Sequence, residues 1–222
     1  MLKIRYFRVE LPGGIAGLSD TLSYKHQAQL LRSIKIIEAN SCRINLSYAA
    51  TRNVAIRSIL DDGSEIADTV TTVDLYMLSL FSSKKETYLS IIDPPRGARL
   101  ISNLLDEIFD EDQFFLEPVE FTPQLINKHI KKFDAARLVS AKVRDFAVYD
   151  GAVGRLEITS QSGLMPTIAP FLENKFHRVD ALTYEISNKF IQGLAFYYRN
   201  GTLKLTEPLI PIALRSFEEC LE

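Results

Sequence analysis

Cysteine and histidine are scarce in this chain: two and three residues respectively among 222. Cys42 and Cys220 stand at opposite ends and match neither a CxxC pair nor any other ligand spacing, so a reducing compartment without a disulfide framework is expected. His26, His129 and His177 each lack a second histidine, cysteine or carboxylate at the short intervals of a zinc site. Long apolar runs are missing too. Those near residues 75–81 and 194–198 fall far short of the ~20 residues that span a bilayer. The opening MLKIRYFRVELPGG alternates charged and apolar residues and lacks the apolar core of a signal peptide. Together these absences predict a cytoplasmic protein with no membrane partner. An excess of one charge sign is also lacking, with 26 basic and 28 acidic residues and a net charge of −2. Any contact with a polyanion must then come from a local patch.

What is present reads as an ordinary folded chain. A hydrophobic share of 46% beside 24% charged residues excludes disorder, which needs low hydrophobicity and high net charge. The length suits one large or two small domains. Residues 2–10 suggest a half-buried strand with an imperfect register, broken by Pro12-Gly13-Gly14. A short helix over 21–33 and strands at 34–38, 43–48 and 54–60 follow. In 70–81 the β-branched cluster Thr69 to Val73 favours strand over a competing helical periodicity. A strand at 88–92 leads through Asp93-Pro94-Pro95 into a helix to about 109, with Ile101, Leu104, Leu105 and Ile108 as its apolar stripe.

The composition then changes sign. No lysine or arginine occurs between Leu100 and Asn127, whereas Lys128, Lys131, Lys132, Arg137, Lys142 and Arg144 follow within a few turns. Thr122-Pro123 marks a helix start, with Leu125, Ile126, His129, Ile130 and Phe133 apolar-facing. Strands at about 136–149 and 152–160 turn at Asp150-Gly151, a hairpin signal. A helix around Pro166 and Pro170, strands at 179–187, 190–198 and 202–206, and a terminal helix complete the chain. The fold class expected is α+β in two domains, 1–112 and 122–222, each a largely antiparallel sheet with packed helices.

Candidate chemistry is thin. Gly13-Gly14-Ile15-Ala16-Gly17 lacks the Lys-Ser/Thr of a phosphate loop and reads as surface loop. Glu173-Asn174-Lys175 with Asp150 has the E-x-K outline of metal-dependent nucleases, but it falls at a predicted helix end rather than on a strand. No catalytic residue, metal ligand or cofactor is therefore assigned, and His129 reads as a packed core histidine.

Two charged features stand out. Arg96 and Arg99 sit in the first turn of the 94–109 helix, against its dipole, and form a candidate anion site. Lys128, Lys131, Lys132, Lys142 and Arg144 form a basic helix–strand band suited to nucleic-acid phosphates, with Tyr149, Tyr197 and Tyr198 available for stacking. The function expected is a non-enzymatic binding or accessory protein that engages DNA or RNA through this band. The alternatives are a protein–protein adaptor or homo-oligomer using the acidic 106–120 and basic segments, and a hydrolase with a dispersed active site.

Overall fold

A computed structural model describes residues 1–11, 13–27, 33–59, 63–83, 86–94, 101–103, 105–106, 114–149, 152–164, 177–189 and 191–221; the side chains of 25–27 and 146–149 fall outside that description. Eleven strands form one sheet: β1 (Leu2–Glu10), β2 (Ile34–Ala39), β3 (Arg43–Ile59), β4 (Glu65–Ser83), β5 (Glu86–Ile92), β6 (Phe115–Pro118), β7 (Ala135–Tyr149), β8 (Ala152–Thr159), β9 (Arg178–Asn188), β10 (Ile191–Tyr198) and β11 (Thr202–Leu205). Their order is β2-β3-β4-β5-β1-β11-β10-β9-β7-β8, with β6 alongside β1. Three helices are described in full: α1 (Gly14–Gln27), α2 (Pro123–Ile130) and α3 (Ile210–Glu218). Residues 101–103 and 105–106 are also helical.

The expected pair of sheets is thus corrected to a single one. The reason is β1. One edge of it pairs with β5 through Ile4↔Ile92 to Val9↔Thr87. Its other edge is divided, Leu2–Arg5 pairing with β11 and Phe7–Glu10 with β6. The first nine-residue strand is therefore the centre of the sheet, a long-range pairing that a charge reversal along the chain cannot reveal.

The irregular register of residues 2–10 has the same origin. Leu2, Ile4 and Tyr6 point to one face and Phe7 and Val9 to the other, as strand geometry requires of even and odd positions. Phe7 and Val9 pack with Ile15, Leu18 and Leu22 of α1 and with Ile44, Leu46, Leu80 and Leu89. Ile4 and Tyr6 pack on the opposite face with Ile126 of α2, Ala213 and Phe217 of α3, and Tyr197 and Leu205. Helices thus cover one face of the sheet in its first half and the other face in its second, and β1 serves both cores. At the second core Tyr6, Phe121 and Phe217 form an aromatic group with ring centroids 4.8–6.1 Å apart, a spacing at which tilted rings attract.

Local signals explain the helix starts. Thr122 caps α2, its hydroxyl accepting from the Leu125 N–H at 3.2 Å, with Pro123 in the first turn. The glycine segment 13–17, expected as loop, instead opens α1: Gly13 and Gly14 take positive φ, and the Gly17 N–H donates to the Gly13 carbonyl at 3.1 Å. The strand reading of 70–81 agrees with β4. The Asp150-Gly151 turn, the helix around Pro166 and Pro170, and Glu173-Asn174-Lys175 lie outside the described residues.

The units 1–112 and 122–222 can be tested by dissection. A 122–222 fragment loses Ile4 and Tyr6 from its core and leaves the β11 edge open. We expect its urea midpoint to fall well below that of the intact chain, since edge exposure and core loss both destabilise. An equal midpoint would establish 122–222 as an independent domain.

Candidate functional site

The basic band divides in three dimensions. α2 lies on the Tyr197 face of the sheet, where Lys128 donates to the Cys220 carbonyl at 2.9 Å and Lys132 pairs with Glu219 at 2.8 Å. Lys131 is exposed beside them. These lysines are therefore engaged with the end of α3 and its following turn. Lys142 instead lies in register with Ala181, which lies in register with Tyr198. By strand alternation it belongs to the opposite face, next to Tyr198 and away from Tyr197. Arg144 joins it there. Lys142 and Arg144 pair with Glu157 (2.8 Å) and Asp180 (2.9 Å). The Lys142–Glu157 pair is solvent-exposed, the class worth only ~0–1 kcal/mol and readily exchanged for another anion, whereas Arg144 Nε is buried against Asp180. The register of β7 shifts at Lys142/Val143 and Val143/Phe146, with Asp145 at φ 55.

Apart from Tyr198, the residues around Arg144 carry no assignment from the sequence. An open cleft of about 620 Å³ is lined by Arg5, Arg144, Arg178, Arg199, Tyr198 and Asn200, with Glu117, Glu120 and Asp180 among its acids. A second cleft of about 300 Å³ shares Arg5, Tyr198 and Asn200 with it and adds Lys3, Thr202 and Lys204. The two form one groove over β1, β11 and β10. Its acids are largely committed: Glu120 to Arg199 at 2.7 Å, Glu117 to Arg8, and Asp180 to Arg144. Lys3, Arg5 and Lys204 have no carboxylate at ion-pair distance among the described residues. Lys3 and Lys204 lie directly opposite each other in the β1–β11 ladder, and Arg5 lies opposite Thr202.

Two of the three cations lie over aromatic rings. The Arg5 guanidinium sits 5.0 Å above the Phe7 ring, and the Lys204 ammonium sits 5.0 Å from the Tyr198 ring centre, an attraction that orients a cation without neutralising it. Arg5 Nε is buried and lacks a hydrogen-bond partner among the described residues. Such an atom carries a desolvation penalty that an incoming acceptor would relieve. The sequence signal was available in Lys3-x-Arg5, the same i, i+2 spacing that singled out Lys142 and Arg144.

The remaining candidates have plain placements. Arg96, Arg99 and the Tyr149 side chain lie outside the described residues, as does the His26 side chain. Tyr197 is buried, its hydroxyl 2.7 Å from His129 Nδ1. His129 is fully buried, and its Nε2 lies 2.8 Å from Ser216 Oγ and 3.1 Å from the Ala213 carbonyl. Both ring nitrogens are thereby occupied within the core. Cys42 is exposed and Cys220 buried, both as free thiols. Burial raises the Cys220 thiol above its ordinary pKa, against the pull of Lys132 and Lys128. No group of three His, Cys, Asp or Glu side chains is arranged to hold a metal ion among the described residues, and no described helix is long and apolar enough to cross a membrane. No protein-family model matches the sequence, and the search of curated proteins returned no match.

Proposed function

We propose that this protein is a non-enzymatic nucleic-acid-binding factor that holds a single strand along the groove over β1, β11 and β10. The observation that carries the reading is the row of three cations, Lys3, Arg5 and Lys204, beside the Tyr198 ring and without carboxylate partners among the described residues. Cations spaced along adjacent strands follow a phosphodiester backbone, and an aromatic ring at the groove floor offers a stacking surface that every base can use. Lys142 and Arg144 extend the same face. The exposed Lys142–Glu157 pair opens at little expense when phosphate arrives. An open, flat groove suits unpaired bases better than a duplex, whose base edges are reached from a helix or ribbon inserted in the major groove.

The test is a salt titration of oligo(dT) and oligo(U) binding. Replacing Lys3, Arg5 and Lys204 together with glutamine should lower the slope of log K against log salt by ~2, at ~0.7 per lost single-strand contact. Tyr198→Ala should weaken binding by ~1–3 kcal/mol, the worth of one stacked base, and leave the slope unchanged. A Lys128/Lys131/Lys132→Gln variant, altered on the far face, serves as the comparison. If that variant rather than the groove variant loses the slope, binding belongs to α2. If the wild type shows no salt-sensitive binding, the nucleic-acid reading is wrong.

A further inference from the structure

β3 and β4 are longer than the sheet uses. β3 is in register with β2 only as far as Tyr48, and β4 with β5 only from Met77 onward. Yet β3 and β4 stay paired with each other without a break from Arg43↔Phe81 to Ile59↔Glu65. Residues 51–59 and 65–73 thus form a two-stranded arm with no third strand at either edge among the described residues. A hairpin of this kind is marginal in water, and its open edges and faces invite cover.

The arm is not polar enough to stand free. On the face that continues Ile44, Leu46 and Tyr48, Val54 lies opposite Val70, Ile56 opposite Asp68, and Ser58 opposite Ile66. Ile56, Ile66 and Val70 are 45%, 49% and 41% exposed, where β-branched side chains of a packed sheet would be covered. Charge narrows the choice of occupant. Residues 51–59 and 65–73 carry Arg52 and Arg57 against Glu65 and Asp68, a balance that neither attracts a polyanion nor repels a second arm.

We propose that the occupant is a second copy of this chain, the two arms stacking face to face about a two-fold axis through the Val54–Val70 row. Antiparallel stacking then sets the Arg52–Thr72 row of one copy over the Ile56–Asp68 row of the other. Arg52, which pairs with Asp74 at 3.2 Å in the single chain, comes within reach of Asp68 of the second copy, and the same contact recurs on the other side of the axis. Val54, Ile56 and Val70 of both copies fill the layer between, at the ~10 Å spacing of packed sheets. About five residues per strand give on the order of 160 Å² per copy, which places the contact among weak, reversible associations.

Sedimentation velocity of the full chain over roughly 1–500 µM tests this, the range in which an interface of that size associates. The expected result is a concentration-dependent monomer–dimer equilibrium. Val70→Lys should weaken it at least about tenfold, because a charge enters the apolar layer of each copy. The residue is exposed in the single chain, so the thermal melt should stay near wild type. Arg52→Asp should also weaken the dimer about tenfold, and Arg52→Asp with Asp68→Arg should restore it to within about threefold. A chain that stays monomeric across the range overturns the proposal. So does a dimer indifferent to Val70→Lys, or one that the charge exchange fails to restore.

Discussion

Replacing Gly201 with alanine is expected to destabilise the protein by at least ~3 kcal/mol, read as a fall in the urea midpoint at constant slope. Gly201 has φ 78, in the left-handed region, which by itself costs a residue with a Cβ roughly 1–2 kcal/mol. The larger effect is steric. A Cβ there would lie 2.5 Å from the Val119 carbonyl oxygen and 2.9 Å from that of Tyr6. Both residues are tied by backbone hydrogen bonds. The Tyr6 N–H donates to the Gly201 carbonyl at 2.9 Å, and the Val119 N–H donates to the Tyr6 carbonyl at 3.1 Å. This is where β1 leaves β11 and meets β6, so any displacement loosens both pairings at the centre of the sheet. Gly63 provides the comparison, with φ 80 and no heavy atom within 4 Å of its notional Cβ. Gly63→Ala should cost only the backbone penalty, ~1–2 kcal/mol. Equal midpoints for the two variants would show that the strand crossing tolerates a side chain.

Acid should unfold the protein through His129. Burial among Phe133, Tyr197 and Phe217 holds the imidazole at a pKa of about 4, the hydrogen bond from its ring to the Ala213 carbonyl pulling the other way and the Lys132 charge reinforcing the drop. In the unfolded chain the same group takes its proton near 6.5. Between these values the unfolded state binds more protons, so stability is full above about pH 6.5 and is lost as pH falls toward about 4. At ~1.4 kcal/mol per unit the loss approaches roughly 3 kcal/mol across the window. Carboxylates contribute in the same direction lower down, since the lysine and arginine partners of Glu219 and Glu185 hold their pKa values below the ordinary range. The measurement is therefore a difference: urea midpoints from pH 7.5 to 4.5 for the wild type and for His129→Gln, which keeps polar atoms facing Tyr197 and Ala213. The variant should lose most of the slope between pH 6.5 and 4.5. Parallel curves would place the acid sensitivity elsewhere.

Local features were legible without the fold. The Thr122-Pro123 start of α2 rests on one hydroxyl and one ring, both three residues or fewer from the backbone groups they serve. β4 was readable through its β-branched run, and the placement of His129 through the apolar positions around it. These depend on neighbours in the chain, and short-range sterics and capping do not need to know what lies across the sheet. The expected 94–109 helix with Arg96 and Arg99 rests on the same kind of signal, and those two arginines lie outside the described residues.

The sequence alone determined the alternation of β1, the capping of α2, the burial of His129 and the near-balance of charge, because each is set by side chains a few positions apart. Tertiary structure decided that β1 lies at the centre of one sheet instead of within the first of two. It also decided that Lys128, Lys131 and Lys132 face away from Lys142 and Arg144, and that Lys3, Arg5 and Lys204 meet beside Tyr198. The physical reason is the same in each case. Lys3 and Lys204 are 201 positions apart in the chain and opposite each other in the ladder, and strand register is chosen by the burial of whole faces, not by any residue's own propensity.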